Sequence, residues 1–214
     1  MQIYHQQIAN RVAEYLLDCE AVKLNAGNPY SWSSGWKSPI YTDNRITLSF
    51  PSARSYVKNQ LVTLISDQFP KAEAIAGVAT GGIAQGALVA DTLNLGFLYV
   101  RAESKGHGLQ NRIEGRLLKG QKIVVVEDLI STGKSSLSAV DALREAGADV
   151  LGMVSVFTYG FQEAELAFSE AGVSCFSLSD YLSLLSIALD RGLIADSDLP
   201  LLESWRKNPS QWGK

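Results

Sequence analysis

VVVEDLISTGKSS, residues 124–136, is the stretch that decides the fold. The β-branched run Ile123–Val126 leads straight into two adjacent acids, Glu127 and Asp128, then into small hydroxylic residues around Gly133. A helical pattern follows from about Lys134 to Ala146, with Gly147 as its stop. An apolar strand that feeds a helix through a short turn is a βα unit, and such units build parallel sheets covered on both faces. The turn also suits a phosphate. Backbone N–H groups point outward at a helix N-terminus, and the helix dipole favours an anion there. Ser131, Thr132, Ser135 and Ser136 add hydroxyls, and Gly133 lets the main chain come close. It is not a Walker A loop, because Asp128 stands where that loop needs its first glycine. Two carboxylates beside a phosphate cradle repel a bare polyphosphate. They fit a sugar diol, or a magnesium ion held through its waters. Phosphate plus vicinal diol, with acids between, describes a ribose 5-phosphate.

The same alternation extends to either side. Ile75–Ala79 ends at Thr80-Gly81-Gly82, followed by a small-residue helix to about Leu93. Phe97–Val100, Leu151–Phe157 and Val173–Ser177 are further strand candidates. Apolar spacing predicts helices over 2–18 and 52–69, the second with Ser52 as N-cap and Pro70 beyond its end. Residues 25–45 read as turns with short extended pieces, and Asp180–Trp205 as one or two closing helices. The expectation is a single α/β domain over 1–214, with a central, mostly parallel sheet flanked by helices. In such sheets ligands sit beyond the carboxyl ends of the strands. Three informative stretches then share one rim: Thr80–Gly82, the residues after Val100, and Glu127–Ser135.

Composition sets the outer limits. A chain of 214 residues buries about 70% of its unfolded surface, enough for a core without metal or disulfide staples. With 46% hydrophobic and 19% charged residues it is neither disordered nor collagen-like. No apolar run is long enough for a membrane span, and the N-terminus lacks the features of a signal peptide. A cytoplasmic protein is expected, with Cys19 and Cys175 as free thiols. The net charge of −3 argues against a nucleic-acid surface. One local exception stands out. Residues 101–119 carry five cations, among them Arg101, Lys105, Arg112 and Arg116, against two anions. With Gly106, Gly108 and Gly115 the stretch reads as a mobile cationic loop.

Residues 123–136 resemble the phosphoribosyl-pyrophosphate (PRPP) motif of type I phosphoribosyltransferases: four apolar residues, two acids and a T-G turn. SGWKSPIYTDNR (34–45) resembles the N-terminal signature of the orotate-specific members of that family, and YVRAESKGHG (99–108) resembles their catalytic loop. The resemblance implies the type I phosphoribosyltransferase fold, with a small N-terminal hood formed mainly by residues 20–50. It implies transfer of the phosphoribosyl group from PRPP to orotate, with Mg2+ bridging substrate oxygens and reaching Asp128 through water. Glu127 and Asp128 are then expected on the ribose hydroxyls. Ser131, Thr132, Gly133, Lys134 and Ser135 hold the 5-phosphate, and Thr80, Gly81 and Gly82 the pyrophosphate. Lys105 and His107, with Arg101 at the loop base, are the catalytic cations. The family's loop reaches into the neighbouring subunit's site, which implies a homodimer.

For the base, the expected residues are Ser34, Lys37, Ile40, Tyr41 and Arg45. Trp32 and Trp36 read first as packing residues, with covering the pocket as the other reading. Three family cations are missing, at Ser33, Ala102 and Tyr159, and each loss falls near an anionic ligand. Lys37, Arg45 and Arg112 are the candidate replacements. The alternatives are a phosphoribosyltransferase for another base, such as a purine, and a PRPP-sensing regulator that has lost the reaction.

Overall fold

The computed structural model describes residues 1–25, 27–32, 35–102 and 112–212. In chain order the elements are β1 (Gln2–Ile3), α1 (Gln6–Asp18), β2 (Val22–Leu24), β3 (Tyr30–Ser31), β4 (Lys37–Ser38) and β5 (Ile40–Thr42). A 3-10 turn, Asn44–Ser49, leads into α2 (Pro51–Gln68), β6 (Ala74–Val78), α3 (Gly81–Leu93), β7 (Gly96–Val100) and β8 (Ile113–Glu114). Then come β9 (Lys122–Ile130), α4 (Lys134–Glu145), β10 (Asp149–Thr158), α5 (Gln162–Glu170), β11 (Cys175–Asp180), α6 (Tyr181–Asp190) and α7 (Leu199–Lys207).

The seven-stranded sheet runs β1-β11-β10-β9-β6-β7-β8. All its pairings are parallel except β7 with β8. Alternation along β9 sends Val124 and Val126 into the core under α1, α2 and α6, and Ile123 and Val125 into the core under α4 and α5. Both faces are covered, as expected for a parallel sheet. The N-terminal region adds two small antiparallel sheets, β2 with β5 and β3 with β4. Among the described residues, no helix is long and apolar enough to cross a membrane. Cys19 and Cys175 are buried free thiols.

Several boundaries differ from the sequence expectation. Gln2–Ile3 is a parallel edge strand on β11, and the helix begins only at Gln6. The second helix starts at Pro51, which occupies the first turn where a missing N–H costs nothing, so Ser52 is not its cap. β9 runs past Val126 to Ile130, because its ladder to β10 continues through the acids as far as Ile130 opposite Thr158. The fifth strand lies at Cys175–Asp180, and the closing segment forms two helices.

Candidate active site

Three cavities line the rim beyond the carboxyl ends of the strands. The first, of about 360 Å3, is bordered by Thr80, Gly81, Glu127, Asp128 and Ser135, with Thr42 and Arg45 reaching in from the N-terminal region. The second, of about 610 Å3, adjoins it through shared Thr42 and Leu129. Its wall holds Ser131, Thr132 and Lys134 of the β9–α4 turn, Tyr41, and the rings of Trp32, Trp36 and Tyr159. The third, of about 80 Å3, holds Arg101 and Arg112 and shares Ala79 and Ser135 with the first.

The acid pair ends a buried strand, so its surroundings are tight. Glu127 is 4% exposed. Its carboxyl accepts hydrogen bonds from Ser136 Oγ at 3.0 Å and from the Asp128 N–H at 3.1 Å. Burial, and then the neighbouring Asp128 charge, push the Glu127 pKa well above the ordinary carboxylate range. Burial also raises Asp128, offset in part by hydrogen bonds and by the Arg45 charge. The Asp128 carboxyl lies directly over Gly81, in space that any Cβ there would occupy. Gly82 is held as closely against the Val126 carbonyl. Glycines at 81 and 82 are what let α3 begin beside the acid pair.

Asn44, which the sequence reading passed over, holds this arrangement from above. It is 3% exposed, and its Nδ2 donates to the Asp128 carbonyl at 2.6 Å. Its only sequence signal is its place between Asp43 and Arg45. Asp43 grips Arg45 through Nε at 2.7 Å and Nη2 at 2.9 Å, and these bonds hold the Asp43 carboxyl below its ordinary range. Thr42 borders both large cavities where they meet, with its side chain beside the Tyr159 phenol.

The β9–α4 turn has the expected form. Gly133 takes φ +81° at the N-cap of α4 and backs onto the Phe168 ring, which leaves no room for a side chain. Ser131 and Thr132 face the larger cavity, and Ser135 faces the acid pair. Of the residues expected at the base, Tyr41 borders the larger cavity and Arg45 the acid-pair cavity. Ile40 is fully buried in the core and borders neither. Lys37 is exposed, with Nζ on Ser31 Oγ at 2.8 Å. Trp32 and Trp36 form part of the wall, where the sequence favoured packing alone. Tyr159, in place of the family's cation, is 2% exposed, and burial raises its phenol pKa so that it stays neutral. Lys134 is the one cation on that wall among the described residues. Arg101 pairs with Glu114 at 3.6 Å, and Arg112 Nε donates to the Arg101 carbonyl at 3.0 Å. Ser34, Lys105 and His107 lie outside the described residues.

No cluster of three or more His, Cys, Asp or Glu able to hold a metal occurs among the described residues. The donors that are present, two carboxylates on a cavity floor, suit an ion that arrives with its own oxygen ligands and touches the protein through water.

Comparisons with known proteins place the chain in a family. Residues 57–180 match the family model described as the phosphoribosyl transferase domain. An orotate phosphoribosyltransferase of Bacteroides fragilis is 56% identical over 200 residues, covering 94% of each chain. One from Streptococcus thermophilus is 50% identical over 205 residues, covering 96% of this chain and 98% of its own. The crystal structure of orotate phosphoribosyltransferase from Aeropyrum pernix superposes with a TM-score of 0.74 at 30% identity, covering 86% of this chain and 99% of that one.

Proposed function

The chain belongs to the orotate phosphoribosyltransferases of the phosphoribosyl transferase domain family, and from this we propose how its rim divides the work of the reaction. Orotate and PRPP give orotidine 5′-monophosphate and pyrophosphate. The ring nitrogen of orotate bonds to the ribose C1 as the bond from C1 to the pyrophosphate oxygen breaks. One observation carries the assignment: the helix-N-terminal turn and the acid pair border adjoining cavities that share Thr42 and Leu129. A phosphate seated on the turn therefore has its ribose over the carboxylates and its C1 toward the aromatic wall.

In this reading Ser131, Thr132, Gly133 and Ser135 hold the 5-phosphate, and Glu127 and Asp128 take the ribose hydroxyls. Thr80, Gly81 and Gly82 seat the pyrophosphate. Arg101, Lys105 and His107 stabilise the charge that gathers on it, and a preorganised donor of this kind is worth roughly 3–4 kcal/mol. Asp128 would hold a magnesium ion through water, and the ion would supply positive charge to offset that of the pyrophosphate. A cytoplasmic homodimer with the catalytic loop shared between subunits belongs to the same reading. The test is an absorbance assay with PRPP and magnesium against orotate, hypoxanthine and uracil. Turnover with orotate alone is expected. Turnover with hypoxanthine would reassign the base, and none with any base would favour a PRPP-binding regulator.

The aromatic wall suits a flat pyrimidine, and among the described residues it carries one cation for the orotate carboxylate. Lys134 borders that wall, its Nζ 4.0 Å from Glu163, which lies just beyond the turn that carries Tyr159. Arg45 is occupied by Asp43, and Arg112 stands in the third cavity. Lys134→Met is expected to raise the orotate KM about tenfold or more, the value of one charged hydrogen bond. The PRPP KM should stay within about twofold. A rise in the PRPP KM instead would return Lys134 to the 5-phosphate.

A further inference from the structure

The aromatic wall of the base cavity is built from segments far apart in the chain, with Trp32 and Tyr159 in ring contact at 5.2 Å. Trp32 and Trp36 flank the β3–β4 turn, and Tyr159 follows β10. Helix α7, which lies beyond the family-matched residues 57–180, touches both. Trp205 is fully buried, and its Nε1 donates to the Lys37 carbonyl on β4 at 3.2 Å. The next residue, Arg206, donates through Nε to the Tyr159 carbonyl and through Nη2 to the Gly160 carbonyl, each at 3.1 Å. Gly160 takes φ +63°, and a Cβ there would sit 3.1 Å from Arg206 Nη2. The Trp205 ring also lies edge-on to Trp32 at 5.6 Å and to Tyr159 at 5.5 Å. The helix is itself anchored, since Tyr181 Oη donates to the Leu202 carbonyl at 3.2 Å.

We infer that α7 is a clasp that holds the aromatic wall of the base cavity in place, with Trp205 and Arg206 as positioning residues for orotate. Neither residue borders the cavity, so both act through the backbones and rings they hold. Two carbonyls pulled onto one planar guanidinium fix the turn that presents Tyr159. One indole N–H fixes the strand beside Trp36. The phosphate turn and the acid pair carry none of these bonds, so the effect should fall on the base and spare PRPP. This inference rests on the orotate reading above.

The test compares Arg206→Ala, Arg206→Lys and Trp205→Phe with the parent, measuring KM for orotate and for PRPP alongside circular dichroism melts. Arg206→Ala should raise the orotate KM about tenfold and leave the PRPP KM within about twofold. Arg206→Lys should recover part of the loss. Trp205→Phe keeps an aromatic ring but loses the N–H donor and part of the indole's volume, so a folded variant should shift the orotate KM the same way. It carries the test if Arg206→Ala fails to fold. An unchanged orotate KM in a folded variant overturns the clasp, and so does a parallel rise in both KM values. If the parent does not turn over orotate, the functional reading fails instead.

Discussion

Gly81→Ala is expected to abolish useful PRPP binding while leaving the protein folded. The new methyl falls on the Asp128 carboxyl, the end of a side chain that can swing away. Relief is therefore cheap for the fold and damaging to the site, because Asp128 leaves the position from which it faces the ribose. Calorimetric titration with PRPP and magnesium should show affinity reduced about 100-fold, the loss of one well-placed charged contact. The melting temperature should barely move. Gly82→Ala provides the contrast. There the methyl meets the Val126 carbonyl, which is main chain in the central strand and cannot swing. It should cost about 1–3 kcal/mol or more of stability. If Gly81→Ala bound PRPP as the parent does, the ribose would not be held by Asp128.

Glu127→Gln should stabilise the ligand-free protein and weaken the reaction. The parent buries a carboxyl that burial and the Asp128 charge both push toward the neutral form. Near pH 7 its ionisation therefore costs stability. A glutamine keeps one acceptor oxygen, for the Asp128 N–H, and its amide N–H can donate to Ser136 Oγ in place of the bond that hydroxyl now donates. The gain should be ~1 kcal/mol or more, with about 2–4 °C in melting temperature for each kcal/mol. The sign with pH follows from linkage. A carboxyl raised in the folded state binds its proton more tightly there, so parent stability falls as pH rises from the ordinary value of 4.5 through the raised one. The advantage of the variant should vanish below pH 4.5 and be complete above the raised value. Activity should move the other way, with kcat/KM for PRPP down roughly 10–100-fold, since an amide is a weaker acceptor for a ribose hydroxyl. A variant no more stable than the parent at pH 8 would mean that Glu127 carries no burial cost.

The phosphate turn was legible because its chemistry is local. Thirteen consecutive residues carry the strand, the acids, the turn and the helix start, and each has its own signature. Asn44 was not legible, because its one informative bond crosses to Asp128, far along the chain. Trp32 and Trp36 were ambiguous for a related reason. An indole on a cavity wall and one in a core have the same local sequence, and only their place beside Tyr159 on the cavity wall tells them apart. Ile40 shows the converse. It stands beside Tyr41 in the signature, but strand alternation turns it into the core while Tyr41 faces the cavity. The short β8 gave no signal either. It is two residues long and exists only as an antiparallel partner for the end of β7.

The sequence alone determined the βα architecture, the phosphate turn and the pair of acids, because strand and helix patterns and a helix N-terminus act over a few residues. The tertiary structure decided which cation borders the aromatic cavity, how close the acids lie to the start of α3, and what the aromatic wall packs against. Those properties depend on distances between segments up to 168 residues apart. Packing sets such distances, and local propensity carries no record of them.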